Sequence, residues 1–328
     1  MPIKNTIIVL PQFHKQRLDI FLSVQLKTSR SQAQKIIKAG QVLINNKSPK
    51  KAGDQLNQND EIQILAFAPS VSVVKKPFCR PKEIKPTTPN KIPKIKIIAQ
   101  EKDYLIVAKP AGLLTHPTIA DESQTLSKIL AKKFPKIKKV GEDPARPGIV
   151  HRLDKDASGL MVVAVTPKMF KHLKTQFKNR TVLKEYLVLV HGQVKSDEGK
   201  IDFPLTRSKT SERMAAWPSH QKQADDFVGR PALTEFWVEK RYLNFTLLRV
   251  KIHTGRMHQI RAHMLAYNHP VVGDQLYFQK KQKRTWDEKC GRLFLHCVKL
   301  GLVDLSGQTR EYSLELPLAL KNFLKKLT

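Results

Sequence analysis

The chain carries a polar loop followed by an apolar run, which reads His151-Arg152-Leu153-Asp154-Lys155-Asp156-Ala157-Ser158-Gly159 and then Leu160 to Val165. The short aliphatic run predicts a buried strand. The polar residues before it therefore form a loop held by a rigid element, a place where catalytic side chains are common. Asp154 could be a nucleophile, a general base or a metal ligand there, or it could form a weak surface ion pair with Arg152. Local chemistry alone leaves these alternatives open.

The composition is that of a folded and strongly basic protein. Its 328 residues suffice for about two domains, and 41% of them are hydrophobic. The 59 Lys and Arg residues outnumber the 28 Asp and Glu residues, for a formal net charge of +31. A field of this sign and size suits a polyanionic partner, with nucleic acid favoured over an anionic membrane.

Targeting features are absent from the sequence pattern. No apolar run approaches the ~20 residues needed to cross a bilayer. The first ten residues form too short an apolar stretch for a signal peptide, and they lack a small-residue cleavage site. The three cysteines, Cys79, Cys290 and Cys297, form no Cys-x-x-Cys pair and no disulfide framework. We therefore expect a cytoplasmic protein that has no membrane association and no structural zinc.

The chain divides into three parts, which are a first domain at residues 1–65, a linker at 66–94 and a second domain at 95–328. The linker holds six prolines and seven Lys or Arg residues, without long apolar periodicity. Proline-rich segments are extended and stiff. The basic linker is thus either a plain spacer or a segment that contacts RNA phosphates in passing.

The first domain combines two helices with a short sheet. Apolar spacing predicts a helix over 16–26, and Thr28 or Ser29 can cap a second helix that ends at Gly40. Strands are predicted at 42–44 and 61–65. The basic side chains along the helices, which are usually plain solvated surface, gain an RNA-binding interpretation in so basic a chain; they are Arg17, Arg30, Lys35 and Lys38.

The motifs of this first domain occur in a recognisable order, namely Arg17-Leu18-Asp19, Ser29-Arg30-Ser31-Gln32-Ala33, Ile37-Lys38-Ala39-Gly40-Gln41-Val42, Asn45-Asn46-Lys47 and Gly53-Asp54. Over about residues 14–65 they resemble the small RNA-binding domain first described in a small-subunit ribosomal protein. The resemblance implies contact with the RNA backbone and no chemistry.

The second domain alternates strands and helices without a repeat. Strands are predicted at 95–99, 104–108, 160–165, 184–191, 236–239, 245–253, 294–302 and 312–316, and helices at 125–134, 166–177 and 258–266. Several of these strands are joined as hairpins. The pattern predicts an α+β fold with a mixed, largely antiparallel sheet flanked by helices and loops.

Four segments of the second domain stand out together, and they are residues 109–117 beginning Lys109-Pro110, residues 146–160 around Asp154, Lys184-Glu185-Tyr186-Leu187, and residues 254–263 from Thr254 to His263. In this order and spacing they resemble the RNA pseudouridine synthases that carry an His-Arg-Leu-Asp signature. The resemblance covers about residues 95–328, and Gly273-Asp274 and Phe294-Leu295-His296 also fit it.

The resemblance implies a reaction in which the glycosidic bond of a uridine breaks, the uracil rotates, and C5 is joined to the ribose, without cofactor or metal. Asp154 falls on the essential aspartate, which either attacks the anomeric carbon or removes a ribose proton to give a glycal. Arg261 is the cation expected to lower the pKa of Asp154. Tyr186 would lie against the uracil and help remove the C5 proton.

The same resemblance implies a substrate pocket around these three residues. Arg152 would fill the space that the flipped uridine vacates. Leu295 would form an apolar wall, and His151 and Arg256 are further expected substrate contacts. Ala157 departs from the family pattern, which usually has threonine there, so a hydrogen bond worth roughly 0.5–1.5 kcal/mol is missing from the loop.

Each site residue also has a plainer interpretation. Tyr186 could be an ordinary core aromatic, and Arg256 and Arg261 could both be phosphate contacts that only position RNA. The three histidines His253, His258 and His263 invite a metal interpretation, but spacings of five residues put them on different helix faces. We expect no metal site there.

Together these observations predict an RNA pseudouridine synthase that acts as a monomer. Its expected substrate is large-subunit ribosomal RNA, because two domains suit a large RNA better than the alternative, a tRNA. One rival hypothesis is an inactive RNA-binding ribosome-assembly factor. Another is a base-removing glycosidase, which would use the same aspartate and release free uracil.

Overall fold

The computed structural model describes residues 3–26, 28, 30–65, 95–117, 124–208, 213–217, 229–279, 282 and 284–327, and for residues 3–5, 30–32 and 35 it describes the backbone alone. The chain forms two units, Met1–Thr87 and Thr88–Thr328. The predicted linker at 66–94 lies outside the described residues. No helix in the described ranges is both long and apolar enough to cross a membrane.

The first unit is a three-stranded antiparallel sheet with two helices. Its elements are β1 (Ile3–Ile8), α1 (Leu18–Gln25), α2 (Arg30–Lys38), β2 (Val42–Ile44) and β3 (Glu61–Leu65), and the strand order is β1-β3-β2. Both helices bury the apolar positions seen in the sequence, since Leu18, Phe21 and Leu22 of α1 pack with Ala33 and Ile37 of α2. The backbone of Gly40 adopts φ +70°, as expected after a helix that ends on glycine.

The second unit is built on one nine-stranded sheet and a separate hairpin. The strands are β4 (Lys96–Gln100), β5 (Tyr104–Lys109), β6 (Ser158–Ala164), β7 (Leu183–His191), β8 (Glu198–Ile201), β9 (Leu205–Arg207), β10 (Met214–Ala216), β11 (Thr234–Arg241), β12 (Phe245–Ile252), β13 (Leu295–Val303) and β14 (Thr309–Ser313). The helices are α3 (Leu126–Lys133), α4 (Pro167–Asn179), α5 (Gln259–Ala266), α6 (Thr285–Cys290) and α7 (Leu318–Lys325).

The large sheet runs β4-β5-β6-β13-β7-β12-β11-β8, with β14 paired to β13, and β9 and β10 form the hairpin. All neighbouring strands of the large sheet are antiparallel except β6 and β13, which are parallel. The predicted α+β class with a mixed, largely antiparallel sheet is therefore confirmed.

Strand β6 runs through the middle of the core. All seven of its residues are buried, because the sheet is covered on both faces at this point. Helix α4 follows at once: the hydroxyl of Thr166 accepts a hydrogen bond from the backbone N–H of Met169, and Pro167 occupies the first turn. The polar loop 151–157 is thus anchored directly to the most buried strand.

The sequence pattern missed several elements. Strand β1 was not predicted, since its lysine and asparagine break the apolar alternation. The strand predicted at 312–316 lies at Thr309–Ser313, because a turn closed by Gly307 at φ +84° sets the register of β14 against β13. The short β9, β10 and α6 carry too little periodicity to be recognised, and α7 was also not predicted, although it buries Leu320 and Phe323.

Candidate active site

His151 fixes the start of the polar loop. Its Nε2 accepts a hydrogen bond from the backbone N–H of Val162 at 3.0 Å, and its ring stacks on Phe177 of α4, with centroids 4.6 Å apart. Burial, helped by the charge of Lys184, lowers the pKa of His151 to about 3. The imidazole is therefore neutral and ties the loop to β6 and α4.

Lys109 holds the other end of the polar loop 151–157. Its ammonium group donates hydrogen bonds to the carbonyl oxygens of Pro110, Leu113 and Lys155 at 2.8–3.0 Å. Burial lowers the pKa of Lys109 to about 7, although the nearby carboxylates of Asp154 and Asp156 oppose that shift. Because one amine holds three carbonyls, the loop has little freedom around the Asp154 backbone.

Asp154 and Arg261 meet at the pocket although 107 positions separate them in the chain. The Arg261 Nη1 donates to Asp154 Oδ2 at 3.1 Å, while Nε and Nη2 bind both carboxylate oxygens of Asp274 at 2.7 Å. Burial lowers the pKa of Arg261, but its hydrogen bonds and ion pairs with Asp274 and Asp154 outweigh burial and raise it. The guanidinium is thus permanently charged beside Asp154.

The loop between β12 and α5 brings Arg261 into place. The side-chain oxygen of Gln259 accepts from the Thr254 hydroxyl at 2.7 Å and from the Arg256 backbone N–H at 3.1 Å. Its amide donates to the backbone of Leu233 and to the Thr234 hydroxyl. His258 adopts the left-handed conformation at φ 53°, uncommon for a residue other than glycine. The turn is therefore tightly specified before α5 begins.

Tyr186 and Leu295 form apolar walls beside Asp154. Tyr186 on β7 faces Cys297 on β13 in the sheet register. Burial raises the pKa of the Tyr186 phenol well above its usual value, so the phenol is protonated at neutral pH. A cavity of about 110 Å³ lies between these side chains, with Arg152, Asp154, Arg256 and Arg261 also in its lining. The predicted catalytic and pocket residues Asp154, Tyr186, Arg261, Arg152, Arg256 and Leu295 therefore converge in one place. His151 instead lines the neighbouring cleft.

A wider cleft of about 540 Å³ adjoins this cavity, and Arg152, Tyr186 and Arg256 line both of them. Its basic lining residues come from several elements, and they are Arg146, Arg152, Lys178, Arg180, Lys184 and Arg256. Within the described residues, no carboxylate lines this cleft. Its chemistry suits a chain of phosphates.

The three histidines considered as metal ligands have separate partners. His253 pairs with Glu235 at 2.7 Å, His258 lies near Asp154, and His263 is bound between the Thr234 hydroxyl and the Phe203 carbonyl. Among the described residues, no group of three or more His, Cys, Asp or Glu side chains is placed to hold a metal ion.

The RNA-binding residues predicted in the first unit are only partly described. Arg17 is half-exposed and forms a salt bridge with Asp19 at 3.0 Å, and Lys38 is exposed at the end of α2. The side chains of Arg30 and Lys35 lie outside what the structure describes. For these positions the RNA-binding assignment stays a prediction.

Sequence reasoning did not find the roles of Asp274 and Tyr277 in this site. The sequence presents Asp274 only as part of Gly273-Asp274, and no motif links it to Arg261, which lies 13 positions earlier. Tyr277 is fully buried beneath the Arg261 guanidinium, whose central carbon lies 5.0 Å from the ring centroid. The signal that the sequence offered was an aromatic residue, Tyr277, three positions after an acidic one, Asp274.

Comparison with known proteins identifies both units. The sequence model of RNA pseudouridylate synthase matches residues 103–266, and that of the S4 domain matches residues 16–62. An "Uncharacterized RNA pseudouridine synthase" of Aquifex aeolicus is 38% identical over 80% of this chain and 77% of its own length. The "Ribosomal large subunit pseudouridine synthase D" of Buchnera aphidicola is 31% identical over 95% of both chains.

Solved structures of pseudouridylate synthases are similar in fold to this chain. Human RNA Pseudouridylate Synthase Domain Containing 4 superposes with a TM-score of 0.57 at 25% identity, covering 70% of this chain and 92% of its own. Human RNA Pseudouridylate Synthase Domain Containing 1 gives a TM-score of 0.56 at 26% identity, over 70% and 86% of the two chains. With an S4 domain ahead of its catalytic unit, this chain belongs to the RNA pseudouridylate synthase family, which makes it an isomerase.

Proposed function

We propose that this pseudouridine synthase acts on large-subunit ribosomal RNA and that Asp154 is its nucleophile or base. The likeness to the large-subunit synthase of Buchnera aphidicola extends over 95% of both chains and supports the choice of RNA. We further propose that residues 1–65 bind RNA, that 66–94 link the units, and that 95–328 carry the catalytic site, in a monomer that works in the cytoplasm.

The observation that carries the proposal is the ion pair between Asp154 and Arg261. The guanidinium donates a hydrogen bond to one oxygen of Asp154, and Asp154 is among the residues that line the 110 Å³ cavity. The positive charge lies within hydrogen-bond distance of the carboxylate that either chemical route uses. Asp274 holds the same guanidinium by two further hydrogen bonds, so its orientation does not depend on substrate.

Two routes are open to the ionised carboxylate. It can attack the anomeric carbon as the bond to the uracil nitrogen breaks, forming a glycosyl ester that the rotated C5 later displaces. It can instead remove a ribose proton so that loss of uracil leaves a glycal, to which C5 then adds as the carboxylic acid returns that proton to the ribose. In both routes C5 finally loses its proton, the former glycosidic nitrogen of the uracil gains one, and no cofactor is consumed.

Tyr186 is proposed to lie against the uracil ring. Because burial keeps the phenol protonated, its flat face is better suited to stacking than its oxygen is to removing a proton in the resting enzyme. Leu295 would close the apolar side of the cavity, and His151 would line the neighbouring cleft. Arg152, exposed on the same loop as Asp154, would occupy the stack that the flipped uridine leaves.

The basic cleft beside the cavity is proposed to bind the phosphates that flank the target uridine. Its six Lys and Arg residues, Arg256 among them, offer donors without competing carboxylates in the described part of its lining. The S4 unit would add further contacts to the RNA backbone. These contacts position RNA but carry no base specificity of their own.

The test is product analysis with ribosomal RNA from cells that lack this protein. Purified enzyme should convert a uridine of the large-subunit RNA to its C-linked isomer, detectable in a nucleoside digest. Conversion of tRNA alone would contradict the proposed substrate. Free uracil in place of the isomer would indicate a glycosidase, and tight binding without any product would indicate an inactive assembly factor.

A further inference from the structure

His258 lies beside the reacting carboxylate, and its side chain is largely buried. Its Nε2 is 3.9 Å from Asp154 Oδ1, whereas Arg261 binds Oδ2. The imidazole therefore faces the carboxylate oxygen that the arginine leaves free. Apart from its place in the turn before α5, this residue has no role in the reaction proposed above.

The tautomer of His258 follows from its hydrogen bonds. The Met214 backbone N–H donates to the Tyr277 hydroxyl oxygen at 2.6 Å, and that hydroxyl lies 3.1 Å from His258 Nδ1. In the described part of the chain the hydroxyl has hydrogen bonds with these two groups alone, and since it already accepts from Met214, we assign its own proton to the bond with Nδ1. A neutral imidazole that accepts at Nδ1 carries its proton on Nε2. The N–H therefore points towards Asp154.

The surroundings favour the neutral imidazole. Burial lowers the pKa of His258, and the charges of Arg261 and Arg152 act in the same direction, while Asp154 and Asp274 oppose them with a smaller net effect. Protonation would also place a hydrogen on Nδ1 and so break the hydrogen bond that Nδ1 accepts from the Tyr277 hydroxyl. At neutral pH the ring can thus donate to the carboxylate without changing the net charge of the site.

The ring has little freedom to turn away. It meets the ring of Tyr277 edge-on, at an interplanar angle of 86° and 5.6 Å between centroids. Its backbone is held in the left-handed region by the turn that Gln259 fixes. Left-handed residues other than glycine persist where the surrounding structure holds them, often at functional sites.

We infer that His258 is a positioning residue whose Nε2–H sets the rotation of the Asp154 carboxylate, and that Met214 and Tyr277 hold it in the required tautomer. The inference rests on the proposed function of Asp154. The distance of 3.9 Å is too long for a hydrogen bond in the free enzyme, and it closes when substrate fills the cavity, as catalytic contacts often do. Asp154 then has one donor on each oxygen.

The tautomer is measured first, by nitrogen-15 NMR of the histidine rings in the full-length protein at neutral pH. The His258 signals are assigned by their loss in His258→Gln. The expected result is a ring protonated at Nε2 alone, with this preference lost in Tyr277→Phe. Protonation at Nδ1 in the wild-type protein, or a doubly protonated ring, would overturn the inference.

The second measurement compares kcat and KM for His258→Asn and His258→Gln. Asparagine suits the left-handed backbone and can accept from Tyr277, but it is too short to reach Asp154, whereas the glutamine amide can take the place of Nε2–H. We expect His258→Asn to lose kcat on the order of 10- to 100-fold, the value of a hydrogen bond to a charged acceptor, with KM unchanged. His258→Gln should recover most of that loss.

Equal loss of kcat in the two variants, or a change confined to KM, would contradict the positioning role. Thermal melting of both variants excludes a folding defect as the cause. If the wild-type enzyme forms no pseudouridine on ribosomal RNA, the proposed function fails instead, and the NMR result alone decides whether the hydrogen-bond relay exists.

Discussion

At the residue scale, the Arg261 guanidinium binds two carboxylates that differ in burial and in the number of hydrogen bonds they receive. Asp274 is fully buried and receives two hydrogen bonds from the guanidinium, while Asp154 receives one. Only a planar group with several fixed donors can serve both. The stability of the unit and the position of the proposed reacting carboxylate therefore both depend on one side chain.

Replacing Arg261 by lysine is expected to impair both properties. Lysine keeps the charge but loses at least one charge-assisted hydrogen bond, at a cost of about 1.5–3 kcal/mol in the free energy of unfolding. kcat should fall as well, because a lysine ammonium lacks the planar set of donors that holds Asp274 and Asp154 at the same time. Urea unfolding and steady-state kinetics measure the two effects.

Arg249→Lys is the matched control, since Arg249 also pairs with two carboxylates, Glu185 and Glu239, but at the surface. Surface pairs contribute about 0–1 kcal/mol. Equal losses of stability in the two variants would show that the buried arrangement around Arg261 contributes no more to the free energy of unfolding than the surface arrangement around Arg249.

The motifs of the sequence select candidate site residues but not the partners of those residues. Asp154, Tyr186 and Arg261 stand in recognisable motifs, so the resemblance selects them as candidates, and the structure brings the three together at one cavity. The pairing of Arg261 with Asp274 and the relay from Met214 to His258 join segments that lie far apart in the chain or on elements without periodicity. Such contacts depend on the packing of the whole unit, which a motif does not encode.

At the element scale, the parallel pair β6 and β13 sets the position of the polar loop. Gly159 lies in that pair opposite Cys297, with φ +122°. A Cβ atom there would lie 2.4 Å from the Cys297 backbone nitrogen. The close approach of the two strands thus requires glycine at the point where the loop enters β6.

Gly159→Ala is therefore expected to push β6 away from β13 and to shift the loop that carries Asp154. Backbone strain alone costs on the order of 1–3 kcal/mol, and the clash adds to it. Gly112→Ala provides the control, because Gly112 has φ +80° but open space where the Cβ would lie. The comparison uses urea unfolding; a loss no greater in Gly159→Ala than in Gly112→Ala would contradict the role of close packing.

Strong periodicity made most elements predictable, and weak periodicity hid the rest. The core strands β5, β6, β7 and β12 and the helices α3, α4 and α5 appear within a few residues of their predicted bounds. The hairpin of β9 and β10 was not predicted, since each strand has three residues. Yet β10 supplies the Met214 amide that starts the relay to His258.

At the scale of the whole molecule, the net charge of +31 makes electrostatics a large part of RNA affinity. Each phosphate contact adds to the salt dependence of binding. Deleting residues 1–94 removes the S4 unit and the basic linker, so we expect weaker binding and a shallower slope of affinity against salt, with some activity kept on short RNA. Filter binding over a salt series measures this; unchanged affinity for full-length ribosomal RNA would contradict it.

Buried histidines make the catalytic unit sensitive to acid. Burial lowers the pKa of His151 to about 3 and those of His263 and His296 to about 4. In the unfolded chain these histidines bind protons at their ordinary pKa of about 6.5. Their contribution to the free energy of unfolding is therefore present above that pH, and it is lost as the pH falls towards the lower pKa values of the folded state.

Each of these histidines is expected to remove about 2 kcal/mol of unfolding free energy between neutral pH and pH 5. Urea unfolding followed by tryptophan fluorescence reports the second unit alone, because the three tryptophans all lie in it, at positions 217, 237 and 286. An unfolding free energy that stays constant over this interval would contradict the neutral state of these buried rings.

The most direct test of the central claim is tritium release from RNA that carries [5-³H]uridine, with large-subunit ribosomal RNA as substrate. Asp154→Asn should release none while its RNA affinity stays close to that of the wild type, because the amide keeps the shape and loses the charge. Asp156→Asn, which changes the exposed neighbouring carboxylate of the same loop, should retain turnover. Substantial release by Asp154→Asn would contradict the assignment of Asp154 as the reacting acid.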